Sequence, residues 1–487
     1  MRQRQAANCI AQPSASGCRR INSVSANHSQ CDRCKLIWVR KATAVALLIL
    51  FTLTASKAEA YSVLSHEETV DMAWSRHIVP LLRKRYPNAT PNEMRIAHSY
   101  AYGGCIIQDL GYYPFGSKEF SDLLHYVRTG DFVSNLLKDA DNLNEYAFAL
   151  GALAHYRGDT IGHPFVGLAT AREYPHLESR FGRFVSYYDS PTAHIRTEYG
   201  FDVVQVAQGH YVKDDYTNFI GFNVATPVLE RAFKDTYGVD LKTVLKHQDL
   251  AISTYRYSVS TAIPEMTRAA VLHYSKQIQE QVPNFDRSHF VYRVNRVDYE
   301  HEWGKQYHKP GFGAHVIAFV IKILPKRGPF AALKLQLPNA ADQKLYLDSM
   351  QSTLNSYEKD VDRLRSQPTP DRTLQLKDLD FDTGKPAQLG EYPLADRSYA
   401  KLLDSVTHDK NADISNGLRA SLLNYYDSFH PGHRSRFYPV IFPGRKQRKL
   451  ERNLTLLRAT QPPSATVAKL SGPDAGNSTQ PEHAGLR

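Results

Sequence analysis

The sequence predicts an all-α protein, because apolar residues recur at helical spacing in its most strongly patterned segments. Residues 143–156 are rich in Ala and Leu, with Gly151 as the one helix breaker, and residues 135–141 before them offer loop and N-cap side chains. Later in the chain, apolar residues at spacings of three and four form one stripe: Leu347, Met350, Leu354, Tyr357, Val361 and Leu364. Such a stripe is typical of an amphipathic helix. The two segments predict long helices in both halves of the chain.

The first sixty residues predict a leader that ends in a secretory signal peptide. A short apolar run at residues 42–55 follows Arg40 and Lys41, and Ala58 and Ala60 place small residues at the −3 and −1 positions of a cleavage site. The run is shorter than the ~20 apolar residues that span a bilayer, which favours a signal peptide over a transmembrane anchor. Cleavage after Ala60 would make Tyr61 the first residue of an exported protein, periplasmic or secreted.

Cysteine usage differs between the leader and the rest of the chain. Four of the five cysteines lie before the signal peptide, at Cys9, Cys18, Cys31 and Cys34. The Cys31–Cys34 pair has no second pair at the spacing of a zinc knuckle. Only Cys105 follows the predicted cleavage site, so the mature chain cannot form an internal disulfide. We therefore expect its stability to come from its core and from bound metal ions.

Charge and composition predict four segments. The formal net charge is +7 over residues 1–60, −5 over 61–250 and +9 over 251–487. Residues 367–370 (Gln-Pro-Thr-Pro) end the second helical pattern, and the tail is rich in Pro, Ser, Gly and Ala. We predict a leader and signal peptide at 1–60, an acidic domain at 61–250, a helical region of unassigned role at 251–460 and a disordered tail at 461–487.

The basic second half contains one short apolar segment, residues 316–324, between Lys309 and the Lys326-Arg327 pair. It is too short to span a bilayer. It is either a buried helix or an element that lies at a membrane interface. The positive charge of this half leaves peripheral contact with anionic lipid, or with nucleic acid, open.

Three residues of metal-ligand type recur at every fourth position, at His155, Asp159 and His163. On a helix of 3.6 residues per turn they fall within roughly 80° of one another, so all three can face one cavity. His194 and Glu198 repeat the four-residue spacing. One such pair alone would usually be a solvated helix face. Two pairs of imidazole and carboxylate side chains predict a zinc site.

These five residues resemble the signature of the zinc-dependent phospholipase C superfamily. That superfamily also contains the fungal single-strand-specific nucleases and, more distantly, the glycosylphosphatidylinositol phospholipase D proteins. Its signature is H-x-x-x-D, a third His shortly afterwards and then H-x-x-x-E, with the mature N-terminal residue opening the ligand set. The resemblance covers roughly residues 61–205. It departs from the bacterial phospholipases and the nucleases in the shorter spacing from Asp159 to His163, and in Tyr61 where they have Trp.

The resemblance implies an all-α catalytic domain with about three zinc ions and nine ligands: Tyr61, His66, Asp109, His125, His155, Asp159, His163, His194 and Glu198. The first zinc would bind the four of these from Asp109 to Asp159, and the third would bind the last three. The second zinc would bind His66 and the amino group and carbonyl of Tyr61, with Asp159 as a bridge to the first. Asp109 is the carboxylate that we expect to orient or deprotonate the attacking water.

Hydrolysis of a phosphodiester is the activity that the resemblance implies. Zinc lowers the pKa of bound water from 15.7 to roughly 7, and paired ions stabilise an in-line displacement at phosphorus. We expect a phospholipase C acting on phospholipid headgroups, because Glu198 is the phospholipase form of a position that is Asp in the nucleases. A single-strand nuclease or nucleotidase with the same zinc ions is the first alternative. A non-catalytic, zinc-stabilised binding protein is the second, and the complete ligand set argues against it.

Overall fold

Sixteen α-helices account for nearly all regular structure in the computed structural model, which describes residues 63–208, 218–219, 221–263, 274–281, 293–294, 336–368, 373–427 and 444–459. The predicted all-α fold is therefore confirmed. None of the described helices combines the length and the apolar character that crossing a membrane requires. The predicted signal peptide, Tyr61, the apolar segment 316–324 and the predicted tail lie outside the described residues.

The helices before residue 209 carry most of the predicted ligands. They are α1 (Val63–Ala73), α2 (Val79–Arg85), α3 (Pro91–Gly104), α4 (Lys118–Tyr126), α5 (Thr129–Asp139), α6 (Leu143–Glu173), α7 (Pro175–Phe181) and α8 (Pro191–Gln208). A π-helical turn, Trp74–Ile78, joins α1 to α2, and a 3₁₀-helix, Ile107–Tyr112, follows α3.

The later helices are α9 (Thr226–Tyr237), α10 (Leu241–Val244), α11 (Gln248–Tyr257), α12 (Ser275–Gln281), α13 (Ala340–Ser366), α14 (Pro393–His408), α15 (Asn416–Asp427) and α16 (Arg445–Ala459). A second π-helical turn, Ser258–Ala262, follows α11. The strands are two-residue bridges: β1 (Asn218–Phe219) pairs in parallel with β2 (Arg293–Val294), and β3 (Leu379–Asp380) pairs antiparallel with β4 (Lys385–Pro386).

Helix α6 is the central element of the described fold. It contacts α1, α3, α5, α8 and α13, and it continues through residues 155–163 without a break, as the sequence predicts. The side chain of Asn142 caps it by accepting from the backbone N–H groups of Asn144 and Glu145, at 3.1 and 3.0 Å. The prediction of a loop and N-cap at 135–141 is wrong for most of that range, because α5 continues to Asp139.

Helices α3 and α6 approach so closely that their contact requires glycine. A Cβ atom on Gly151 would lie 2.0 Å from the carbonyl oxygen of Ala101, and one on Gly104 would lie 2.0 Å from that of Phe148. Gly in a helix normally costs about 1 kcal/mol relative to Ala. Here the close backbone contact reverses the preference, and it holds the ligand-bearing helix against its neighbour.

Gly151→Ala should therefore lower the free energy of unfolding by about 1–3 kcal/mol, because the two backbones must separate. Gly417→Ala is the matched control. Its Cβ would lie within 4 Å of one neighbouring atom, Nη2 of Arg128, at 3.4 Å, so we expect no loss or a small gain. Urea denaturation of both variants measures the difference. Equal stability of Gly151→Ala and the wild type would contradict the close contact.

Helix α13 joins the second half of the chain to the first. The hydroxyl of Tyr357 donates to the Leu150 carbonyl at 3.0 Å, and Asp360 accepts from Arg157 of α6 at 2.6 Å. Residues of both halves belong to one continuous hydrophobic cluster. The domain boundary predicted at residue 250 stays a prediction, but the second half supplies part of the scaffold around α6.

The apolar stripe of α13 is confirmed at five of its six positions, which are buried: Met350, Leu354, Tyr357, Val361 and Leu364. Leu347 is 39 % exposed, so its assignment to the stripe is wrong. Tyr346, at 2 % exposure, takes its place because its ring stacks on Phe201 of α8 with 4.7 Å between centroids. Packing between helices decides which residue lies at the edge of the stripe.

Candidate metal centre

Five elements bring eight of the nine predicted ligands into the interior, and the ninth, Tyr61, lies outside the described residues. Helix α6 carries three ligands and α8 carries two, while α1, the 3₁₀-helix and α4 carry one each. Every one of the eight is at most 4 % exposed: His66, Asp109, His125, His155, Asp159, His163, His194 and Glu198. Side chains of these types are rarely buried together without partners that compensate the lost solvation.

The carboxylate of Asp159 lies at the centre of this group. Its Oδ1 is 3.4 Å from His66 Nε2. Its Oδ2 is 3.0 Å from His155 Nε2 and 3.5 Å from the Nε2 atoms of both His125 and His163. Two carboxylate oxygens that face different imidazoles can each bind a separate ion, which is the geometry required of a bridging ligand.

Two compact sets of ligand atoms surround this carboxylate, each with its atoms within 4.8 Å of one another. Asp109, His125 and His155 form one set, in which Asp109 Oδ1 is 3.2 Å from His125 Nε2. His66, His155 and Asp159 form the other. The first set contains three of the four ligands predicted for the first zinc, without Asp159, and the second contains His66 and Asp159 of the second zinc together with His155.

The ligands predicted for a third ion are near one another but less compact. His194 Nε2 is 3.0 Å from Glu198 Oε1, and the rings of His163 and His194 are 5.5 Å apart between centroids. His163 also reaches Asp159, so this end of the centre is continuous with the other two sets. The assignment of a third ion stays a prediction.

Oxygen atoms that face Nδ1 orient four of the histidines. The contacts are His125 to Ser121 O at 2.8 Å, His155 to Cys105 O at 2.9 Å, His194 to Val185 O at 3.4 Å and His163 to Asp382 Oδ1 at 2.7 Å. Carbonyl and carboxylate oxygens only accept, so each of these rings, when neutral, carries its proton on Nδ1 and keeps the Nε2 lone pair. Metal-binding histidines are usually held in this way.

Several buried ligand atoms make no hydrogen bond to any described residue. They are both carboxylate oxygens of Asp109 and Asp159, the Nε2 atoms of His155 and His194, and both ring nitrogens of His163, whose contact with Asp382 is an ion pair. Buried polar atoms in folded proteins nearly always have a partner. Zinc binds these donor types, so the residues present fit zinc ions.

The electrostatics of the centre favour the protonation states in which several of its side chains can bind a metal ion. Burial, followed by the charge of His155, lowers the pKa of His66 well below its ordinary value. Burial and the neighbouring His163 lower the pKa of His194 to about 3. Burial alone would raise the pKa of Asp159, but the surrounding histidines, His155 first, hold it well below its ordinary value. These two histidines are therefore neutral and Asp159 is ionised near pH 7.

His125 differs from those histidines because it holds a proton strongly before an ion binds. Burial would lower its pKa, but close contacts with the carboxylates of Asp109 and Asp159, at 3.2 and 3.5 Å from Nε2, outweigh burial and raise the pKa to about 10. An ion that takes the first zinc position must displace this proton.

Two residues of the centre were missed by the sequence reasoning, and both come from the turn between β3 and β4. The Phe381 ring lies against His125, with 5.1 Å between centroids, and Asp382 faces His163. The available signal was the alternation of Asp378, Asp380 and Asp382 after the predicted linker. Acidic residues at every second position share one side of an extended segment.

A helical scaffold that buries carboxylates among oriented imidazoles is typical of metal-binding proteins. The sequence profile of the family described as zinc dependent phospholipase C matches residues 66–246, and all eight described ligands lie within that match. This match supports membership of the zinc-dependent phospholipase C superfamily, as the ligand spacing predicts. No curated protein and no solved structure gives a significant match to the chain. The family supports a zinc-dependent, phospholipase C-like phosphodiesterase.

Proposed function

We propose that this protein is an exported phospholipase C that uses three zinc ions to hydrolyse the headgroup phosphodiester of phospholipids. The arrangement of His66, His125, His155 and His163 around the buried carboxylate of Asp159 carries the proposal. Bound zinc would supply Lewis acidity, activating water and balancing negative charge on the phosphate oxygens. Glu198 supports the phospholipase over the nuclease, because the nucleases of the superfamily have Asp at that position.

Asp109 is our candidate for the residue that orients or deprotonates the attacking water. It is completely buried on the 3₁₀-helix, next to His125. The rings of Tyr112 and His125 meet edge-on with 5.7 Å between their centroids, and those of Tyr187 and His194 meet edge-on with 6.1 Å between theirs. These aromatic rings would limit the access of bulk water to the reacting phosphate.

A basic face on α16 supports peripheral contact with anionic lipid. Arg445, Lys446, Arg448 and Arg452 are all exposed on this helix. Clustered Lys and Arg residues are attracted to the negative surface potential of anionic bilayers. The same charges would also attract nucleic acid, so substrate class has to be tested directly.

Metal-loaded protein should release diacylglycerol and a phosphorylated headgroup from phosphatidylcholine or phosphatidylinositol vesicles, and it should leave single-stranded DNA intact. Both products follow from attack on phosphorus with the glycerol oxygen as leaving group. The assay compares the three substrates side by side, with chelated protein as the control. A nuclease would instead cut the DNA with strong salt dependence, because phosphate binding releases counterions. Cleavage of DNA with no turnover of lipid would refute the phospholipase and leave the metal centre unchanged.

A further inference from the structure

The turn between β3 and β4 inserts a carboxylate into the metal centre from the second half of the chain. The backbone N–H of Phe381 donates to the carbonyl of His125 at 3.0 Å. The next residue, Asp382, is 1 % exposed, and its Oδ1 lies 2.7 Å from Nδ1 of His163. This turn lies outside the part of the chain that matches the family, residues 66–246.

Two tyrosines hold the second oxygen of that carboxylate. The hydroxyl of Tyr126, the last residue of α4, donates to Asp382 Oδ2 at 2.9 Å. The hydroxyl of Tyr392, directly before α14, donates to the same oxygen. The carboxylate is therefore fixed between helices α4, α6 and α14, with Oδ1 directed to His163.

The turn also packs directly against the ligand helix. Gly384 has a φ of +65°, and a Cβ on it would lie 2.5 Å from the carbonyl oxygen of Thr160. Pro164, four residues after Thr160, has no N–H to donate to that carbonyl. The turn thus contacts α6 where the regular hydrogen bonding of the helix is interrupted, next to His163.

We propose that Asp382 is a positioning residue that fixes His163 as a ligand of the third metal ion. Asp382 Oδ1 lies 2.7 Å from His163 Nδ1, and because a carboxylate can only accept, this close ion-pair contact favours the form of His163 with its proton on Nδ1. The Nε2 lone pair then faces Asp159 and the metal. The Nδ1 atom of His163 faces a carboxylate, whereas those of His125, His155 and His194 face backbone carbonyls. This inference rests on the proposed three-ion function for the existence of that ion.

Removing such a carboxylate typically lowers metal affinity about 10- to 100-fold. Asp382→Ala should therefore lose one ion of three to a competing chelator at concentrations that leave the wild type fully loaded. Asp382→Asn keeps an oxygen that can accept the Nδ1 proton but lacks the charge, so its loss should be smaller, about tenfold. The visible absorption of cobalt-substituted protein should change in both variants, because this spectrum reports ligand geometry at the ion.

Asp380→Asn is the matched control. Asp380 lies in the same turn, is 1 % exposed and accepts from the backbone N–H of Thr383 at 3.0 Å, which an Asn oxygen can also do. Burial raises the pKa of Asp380 well above its ordinary value, so the neutral amide resembles its protonated form. Metal affinity and cobalt spectrum should match those of the wild type.

Wild-type affinity and spectrum in folded Asp382→Ala would overturn the inference. If that variant does not fold, Asp382→Asn is the test. The inference would be overturned if Asp382→Asn had the same metal affinity and cobalt spectrum as Asp380→Asn. These readouts do not require turnover. If the Asp382 variants bind one ion more weakly but the wild type hydrolyses no phosphodiester, the proposed function alone is contradicted. If the wild type hydrolyses a phosphodiester but the Asp382 variants bind metal with unchanged affinity, the inference alone is contradicted.

Discussion

Asp159→Asn should abolish most activity and remove bound metal, because no other described side chain faces four imidazoles at once. An amide has one oxygen that can bind an ion, and its NH₂ group can only donate, so the bridge between two ions is lost. Lewis-acid stabilisation by bound metal contributes several kcal/mol to catalysis. A loss of about 4 kcal/mol corresponds to a decrease in kcat of about 10³-fold. Elemental analysis and the vesicle assay measure the two effects.

Asp396→Asn provides the control for replacing a buried aspartate as such. Asp396 is completely buried, and its Oδ1 accepts from the backbone N–H of Gly390 at 2.8 Å and from the hydroxyl of Tyr425 at 2.6 Å. An Asn oxygen can accept both hydrogen bonds, and α14 contributes no predicted ligand. We expect full metal content and nearly normal turnover in this variant. Full metal content in Asp159→Asn would show that Asp159 is not the bridge.

Removal of the metal ions should destabilise the whole fold rather than only the site. The ligands belong to five separate elements of the described chain, and the carboxylates of Asp109 and Asp159 are buried without hydrogen bonds. An ion present at 1,000 times its dissociation constant stabilises by about 4 kcal/mol, so two ions contribute about 8 kcal/mol. For a chain of this size we expect Tm to fall by more than about 10 °C on chelation. Calorimetry with and without chelator measures the change.

Metal uptake by the chelated protein should weaken as pH falls, because ligand atoms must be free of protons to bind an ion. The pKa of His125, raised to about 10 by its contacts with Asp109 and Asp159, means that this histidine still holds a proton at pH 7. Uptake at pH 7 should therefore release protons, which titration calorimetry in buffers of different ionisation enthalpy detects. Restoration of Tm by zinc without proton release would contradict the placement of His125 at an ion. An unchanged Tm after complete chelation would contradict a structural role for the metals.

Helical periodicity allowed the sequence alone to predict that three of the candidate ligands lie together. His155, Asp159 and His163 face one cavity because a four-residue spacing on a continuous helix is a local property. The same reasoning identified the α13 stripe but misassigned its edge at Leu347. Neither Gly151 nor the interruption at Pro164 prevented α6 from continuing, because packing against α3 and α13 stabilises it along its length.

Tertiary structure decided which distant residues complete the centre. The sequence by itself predicted the all-α class, the resemblance to the zinc-dependent phospholipase C superfamily and the candidate set of metal ligands, because these depend on residue type and spacing along the chain. The pairing of Asp382 with His163, the cover that Phe381 provides for His125, and the exchange of Leu347 for Tyr346 all join residues that are far apart in sequence. Such contacts depend on how helices and turns pack against one another, and packing is set by the shape of the whole interior rather than by any local pattern.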